Sequence, residues 1–289
     1  MSVQESGIPI HFNSVQDDGL NGSESARRSG DLNSNYRISL ERCRTDRVMS
    51  SEQYKYLRDI VHKIPGWLED YTAIRTMDML DWQVNEGIRG SLIEIGVCNG
   101  RYFSILLRSA NQTGEQVVGL DTFQWVNEEI VRAAVNNLSI PPPIFIRKPS
   151  TQCSARELMG ILKAPPRFFS IDGSHDYEDV FWDLRLAEDI LSPGGIIAAD
   201  DFLNPMTLGV NEAVNAFFST PRSLAPFAYI ANKLFLCRPP MASKMMEMIE
   251  NYVRADQLEP RSATFRENDA RDRNSVEVTI WRRRLLIIP

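Results

Sequence analysis

The stretch Leu92-Ile-Glu-Ile-Gly-Val-Cys-Asn-Gly100 constrains the fold more than any other part of the sequence. Its first four residues are apolar or β-branched around a single glutamate, which predicts a strand buried between two layers. Gly96 and Gly100 provide a tight exit, and residues 102–107 predict a helix that packs back on the strand. Because glycine lets a ligand approach the backbone closely, this strand, turn and helix predict a nucleotide-sized binding site.

Short apolar strands alternate with helices after this stretch. The further strands are predicted at Val117–Asp121, Ile144–Ile146, Phe168–Asp172, Ile196–Asp200, Phe227–Ile230 and Lys233–Cys237. Their alternation with helices predicts a parallel sheet with right-handed crossovers, and the two-residue link before Lys233 predicts an antiparallel pair at its edge. We therefore expect the α/β class, with a Rossmann-like, doubly wound, mostly parallel seven-stranded sheet and helices on both faces.

The chain divides into three predicted segments. Residues 1–49 are rich in Ser, Asn, Asp, Gly and Arg and lack periodicity, which predicts a disordered N-terminal tail. Residues 50–240 form the main domain, including two N-terminal helices that cover the sheet. Residues 241–289 are expected to form a C-terminal helix and an extension, with 256–274 irregular and 276–288 a last strand.

Charge and composition exclude several classes of function. The formal net charge of -6 argues against nucleic acid as the main partner, because phosphate binding needs a basic face. The sequence has no run of about 18 apolar residues, so no membrane span is predicted. An apolar signal region is also absent, which predicts a cytoplasmic protein. The four cysteines lack C-x-x-C spacing, so isolated reduced thiols are expected rather than a zinc site.

Acidic residues follow three of the predicted strands. Asp121 lies 25 residues after Gly96, close to the spacing at which an acidic side chain binds a ribose hydroxyl in doubly wound folds. Asp172 and the pair Asp200-Asp201 should meet at the carboxyl edge of the sheet. Carboxylates that converge without a paired cation must share a proton or hold a metal, and oxygen ligands favour Mg²⁺.

Each of these residues also has a purely structural interpretation. Asp121 could cap a helix or be a loop residue, and Asp172 could cap the following helix. Asp200-Asp201 could form a turn, and His175 could be an exposed loop residue. His175 nevertheless follows Asp172 by three residues in a chain with only three histidines. Because the signals agree in order and position, the functional interpretation is favoured, with His175 as a catalytic residue.

The same motifs resemble those of a known family, the macrocin-type, metal-dependent O-methyltransferases within the class I S-adenosylmethionine-dependent methyltransferases. The matching segments are Glu94–Gly100, Gly119–Phe123, Ile171–Tyr177, Leu191–Gly195 and Ala199–Phe202. Pro65–Leu68 upstream and Gly209–Val214 downstream extend the resemblance, which spans about Ser50 to Cys237.

The resemblance implies a role for each site residue. The cofactor-binding residues that it implies for S-adenosylmethionine are Glu94, Gly96, Gly100, Asp121, Ser150 and Asp172. The implied Mg²⁺ ligands are Asp172, Asp200 and Asp201, and the implied general base is His175.

The expected function is therefore Mg²⁺-dependent O-methylation of a small-molecule hydroxyl, such as a sugar or phenol of a secondary metabolite. Two alternatives stay open. A related cofactor-binding domain could carry out hydroxylase-type chemistry, or the chain could be a non-catalytic S-adenosylmethionine-binding partner protein. Neither nucleic acid nor a membrane is expected as a partner, and the terminal segments allow a homo-oligomer.

Overall fold

The structure is a computed structural model that describes residues 52–288. The predicted disordered tail, residues 1–49, lies outside the described residues. Within residues 52–288, every helix is too short or too polar to cross a membrane.

A single sheet of nine strands organises the described chain. The strands are β1 (Leu92–Ile95), β2 (Val117–Asp121), β3 (Ile144–Arg147), β4 (Phe168–Ile171), β5 (Ile196–Ala199), β6 (Ala225–Ile230), β7 (Lys233–Cys237), β8 (Glu277–Ile280) and β9 (Arg283–Ile288). Their order is β3-β2-β1-β4-β5-β7-β6-β9-β8. Strands β1 to β5 are parallel, whereas β7 is antiparallel to both β5 and β6. The predicted α/β, doubly wound class is confirmed.

Helices cover both faces of this sheet. They are α1 (Glu52–Asp59), α2 (Asp70–Asn85), α3 (Phe103–Thr113), α4 (Glu128–Val135), α5 (Ala155–Ile161), α6 (Tyr177–Ile190), α7 (Leu208–Phe218), α8 (Ala242–Ala255) and α9 (Pro260–Arg271). Leu92 and Phe168 point into the core beneath α2, α3 and α8. Their neighbours Ile93 and Phe169 point into the second core, beneath α5, α6 and α7. Because both faces are buried, the central strands are almost entirely apolar, with Glu94 in β1 and Ser170 in β4 as exceptions.

The C-terminal residues differ from the prediction in two ways. The sheet has nine strands rather than seven, because the C-terminal segment predicted as one separate strand forms a hairpin, and both of its strands join the sheet. Trp281 and Arg282 lie at positive φ in the turn of this hairpin. Strand β9 pairs in parallel with β6, so the predicted antiparallel edge pair lies inside the sheet.

Residues 256–274 contain a helix where irregular structure was predicted. Helix α9 buries only Ser262 and Phe265, so the sequence shows no apolar periodicity there. Ser262 lies 2.9 Å from the hydroxyl of Tyr71 on α2, and the two oxygens share a hydrogen bond. Tertiary packing therefore stabilises a helix that the local pattern does not indicate.

A buried ion pair fixes the amino-terminal edge of the parallel strands. Arg167 precedes β4, is fully buried, and donates to both carboxylate oxygens of Glu115 at 2.7 to 3.1 Å. The same guanidinium donates to Gln83 on α2 and to Ser109 on α3. One side chain thus joins two covering helices to the strands beneath them.

We predict that Arg167→Met destabilises the protein by about 3–5 kcal/mol, because it leaves the Glu115 carboxylate without its partner in a desolvated position. Denaturant unfolding measures the change. Lys244→Met is the matched control, since Lys244 pairs with Glu86 on the surface and should contribute less than about 1 kcal/mol. Equal destabilisation by both variants would contradict this account of Arg167.

Candidate active site

The register of the parallel strands aligns four of the predicted site residues. Ile95 lies beside Leu120 and Ile171, and Ile171 lies beside Ala199. The next residue of each strand therefore belongs to one row along the carboxyl edge. The residues of that row are Gly96, Asp121, Asp172 and Asp200. The row crosses the switch point between β1 and β4, where ligands bind in open α/β sheets.

The glycine turn after β1 is fixed by its backbone conformation. Gly96 has a φ of +82°, and a Cβ atom there would lie 1.8 Å from the carbonyl oxygen of Asp172. Gly100 has a φ of +89°, and its Cβ would lie 2.9 Å from a methyl group of Val135. Only glycine fits both positions without strain, so the predicted need for these residues has a direct steric cause.

Asp121 orders this turn from the end of β2. Its Oδ2 accepts a hydrogen bond from the backbone N–H of Cys98 at 2.8 Å, and its Oδ1 accepts one from Phe123 at 2.7 Å. Asp121 therefore has the structural role of ordering this loop. A carboxylate has about four acceptor positions, so two remain for ribose hydroxyls, and the predicted cofactor contact stays a prediction.

Glu94 lies beneath the turn as a buried acid. It is 1% exposed, and burial raises the pKa of its carboxyl well above the usual range. Its Oε1 is 3.5 Å from the Ser170 hydroxyl, whereas Oε2 has no hydrogen-bond partner within the described part of the chain. These features fit the predicted S-adenosylmethionine. The spare acceptor positions of Asp121 suit its ribose diol, the unpaired oxygen of Glu94 suits its cationic groups, and the glycine turn allows close approach to the backbone.

Ser150 lies in a short 3-10 turn after β3, packed against α6. Its carbonyl oxygen accepts a hydrogen bond from Trp182 Nε1 at 3.0 Å. The next residue, Asp183, is 1% exposed, and both of its carboxylate oxygens lack a well-formed hydrogen bond among residues 52–288. Burial raises the pKa of Asp183 to about 7, although the nearby Ser150 hydroxyl opposes the shift.

A lysine compensates the acidic residues at the end of β4 and β5. Lys233 Nζ lies 2.5 Å from Asp200 Oδ2 and 3.8 Å from Asp172 Oδ2. The expectation that these carboxylates converge without a paired cation is therefore wrong. Burial alone would lower the pKa of Lys233, but Asp200 and Asp172 outweigh it and raise that pKa.

The position of Lys233 follows from the antiparallel register. Ala199 on β5 pairs with Leu234 on β7, so the preceding residue of β7 faces Asp200. The sequence places Lys233 in a predicted strand but indicates no role for it in the site. The available signal was a single charged residue in an otherwise apolar strand of five buried residues.

The adjacent aspartate pairs with the predicted base. His175 Nε2 lies 3.1 Å from Asp201 Oδ2, and the imidazole is about half exposed. Asn204 Nδ2 donates to the other carboxylate oxygen of Asp201 at 2.8 Å. The hydrogen bond with Asp201 raises the pKa of His175, and the same bond lowers the pKa of Asp201 to about 2.

The predicted metal ligands are only partly brought together. Asp172, His175 and Asp201 each offer one ligand atom, and these atoms lie within 4.8 Å of one another. Asp200 is not part of this group: its Oδ1 accepts the backbone N–H of Asp201 and its Oδ2 pairs with Lys233. Two carboxylates and an imidazole fit a divalent cation, and the full three-aspartate set stays a prediction.

Comparisons with known proteins find similarity to methyltransferases. Residues 93–202 match a family described as a methyltransferase domain. The calicheamicin methyltransferase CalS11 is 16% identical, with a TM-score of 0.50 over 78% of this chain and 99% of that one. The O-methyltransferase NovP is 18% identical over 58% and 82% of the two chains, with a TM-score of 0.47. A comparison with curated protein sequences gives no significant match.

We predict that Gly96→Ala destabilises the protein by more than about 2 kcal/mol, because its Cβ would overlap the Asp172 carbonyl at an unfavourable positive φ. Denaturant unfolding and titration with S-adenosylhomocysteine measure the effect. Gly160→Ala is the control, since no atom lies within 4 Å of its Cβ and α5 should gain slightly from alanine. Normal stability and ligand binding in Gly96→Ala would refute the steric argument.

We also predict a pH-dependent difference between Asp183→Asn and the wild type. The raised pKa of Asp183 stabilises the fold fully below its unfolded value, near 4, and this contribution is lost as pH rises through about 7. Relative to the wild type, Asp183→Asn should therefore gain stability between pH 4 and pH 8, by at most about 4 kcal/mol.

Denaturant unfolding at several pH values measures this difference. Asp189→Asn, on the exposed side of the same helix, is the control for the removal of one acidic side chain from this helix. A flat difference for Asp183→Asn would mean that its carboxyl ionises as easily in the folded chain as in the unfolded one.

Proposed function

We propose that the chain is a class I, S-adenosylmethionine-dependent methyltransferase that methylates a hydroxyl oxygen of a small molecule, such as a sugar or phenol of a secondary metabolite. The observation that carries the proposal is the pair of His175 and Asp201, 3.1 Å apart, at the carboxyl edge of the sheet. This pair lies beside Asp172, in the row that begins at the glycine turn.

Methyl transfer to a hydroxyl oxygen has two requirements that the protein must meet. Bound S-adenosylmethionine supplies an electrophilic methyl group, so the residues must align an acceptor oxygen and remove its proton. Alignment alone supplies several kcal/mol in well-oriented reactions. The site residues are set on strand ends and on a loop closed by Asn204, which provides a rigid frame for such alignment.

His175 is suited to take the acceptor proton. With its Nε2–H donated to Asp201, the ring is held in one orientation and Nδ1 carries the lone pair that can take a proton. Asp201 stabilises the imidazolium that forms, by the same hydrogen bond that raises the pKa of His175. The partial exposure of the ring leaves room for an acceptor to approach.

A divalent cation such as Mg²⁺ is the second part of the proposal. Asp172 and Asp201 would hold it, with Asp200 as a third ligand only if that side chain leaves Lys233. A bound cation would lower the pKa of an acceptor hydroxyl and so assist its deprotonation. The support for this part is the donor set alone.

We predict that His175→Ala lowers turnover by about 10²- to 10⁴-fold while S-adenosylhomocysteine binding stays near normal, because the imidazole acts on the acceptor proton rather than on the cofactor. Transfer of labelled methyl groups from S-adenosylmethionine to a panel of catechols, phenols and sugar nucleotides identifies an acceptor, and calorimetry measures ligand binding. His62→Ala is the matched control, since His62 pairs with Asp70 at 2.9 Å on the surface.

Unchanged turnover of the identified acceptor in His175→Ala would remove this residue from the mechanism. If no hydroxylated compound in the panel accepts a methyl group while an amine or thiol does, the proposed O-methylation is wrong and the methyltransferase assignment is unaffected.

A further inference from the structure

Lys233 is a buried cation that the proposed methyl transfer does not use. The residue is 1% exposed, and its Nζ lies 2.5 Å from Asp200 and 3.8 Å from Asp172. The ammonium also lies 4.5 Å from the centre of the Tyr102 ring, whose hydroxyl shares a hydrogen bond with Thr76. The ammonium is thus fixed from three sides by an aromatic face and two carboxylates.

This arrangement is built by the fold rather than by a flexible surface side chain. The β5–β7 register places the lysine opposite Asp200, and β7 is buried along its whole length. Desolvating an ammonium is costly, so its burial is tolerated only because the carboxylates compensate its charge. Conversely, the lysine compensates Asp200 and Asp172, which are crowded together with buried Glu94.

The pairing limits what a metal ion can bind. Both oxygens of Asp200 are engaged, one by Lys233 and one by the backbone N–H of Asp201. With His175 as the base, a divalent ion is left with Asp172 and Asp201, and it would share Asp172 with the ammonium. Two positive charges next to one carboxylate repel each other, which weakens the binding of the ion.

We propose that Lys233 is the resident cation of this site, and that its ammonium neutralises Asp200 and Asp172 and keeps divalent-metal affinity low. Lys233 is a positioning residue: it fixes the rotamer of Asp200 and sets the charge of the site without touching a reacting atom. The inference uses one part of the proposed function, namely that these carboxylates are the residues that would hold a metal.

The test is a titration of the full chain with Mn²⁺, in which the electron paramagnetic resonance signal of the free ion gives the dissociation constant. Lys233→Met should bind Mn²⁺ at least about tenfold more tightly than the wild type, because a repelling charge is removed and Asp200 becomes free to bind. Lys244→Met removes the same charge from the surface and should bind Mn²⁺ like the wild type. Unchanged or weaker binding in folded Lys233→Met would overturn the proposal.

If Lys233→Met folds poorly because its buried carboxylates lack a compensating charge, the melting temperature with and without Mn²⁺ tests the proposal instead. Mn²⁺ should then raise its melting temperature far more than that of the wild type, because the metal replaces the lost charge. Failure of Mn²⁺ to stabilise the variant would also overturn the proposal. Neither experiment contains a methyl acceptor or cofactor, so these outcomes are independent of whether O-methylation is observed.

Discussion

The ion pair between Lys233 and Asp200 is the interaction on which the site depends. A parallel sheet brings the ends of its strands to one edge, and in this chain that edge collects Asp172 and Asp200 above buried Glu94. Burial raises the pKa values of Glu94 and Asp172 well above the usual range, and a positive charge among these groups opposes that rise. The charge comes from β7, so the antiparallel part of the sheet completes a site that the parallel part begins.

The predictable part of the molecule is the part encoded by local signals. A buried parallel strand is a continuous apolar run, and Gly96 and Gly100 occupy positions where a Cβ atom would clash. These signals lie within a few residues of the structure that they specify. The row from Gly96 to Asp200 followed from them, because strand ends in a parallel sheet share one edge.

The parts that sequence reasoning missed depend on contacts between distant segments. Lys233 lies next to Asp200 only because β7 runs antiparallel to β5, and the sequence of neither strand indicates that register. Helix α9 buries only Ser262 and Phe265, which is too few buried positions to form a periodic apolar pattern. The hairpin of β8 and β9 was predicted as one strand, because its turn lies at Trp281 and Arg282 and contains no glycine or proline.

The two neighbouring aspartates after β5 lie in different environments and have different partners. Asp200 continues the strand row and points to the buried lysine, whereas Asp201 has a φ of +58° and turns outward to the half-exposed histidine. A positive φ is unfavourable for aspartate, and the hydrogen bond from Asn204 to Asp201 helps to hold it. Because the backbone turns between the two residues, Asp200 pairs with Lys233 at the sheet edge while Asp201 orients His175. Because each carboxylate has its own partner, the buried pair can stabilise the fold while the exposed pair stays accessible to a substrate.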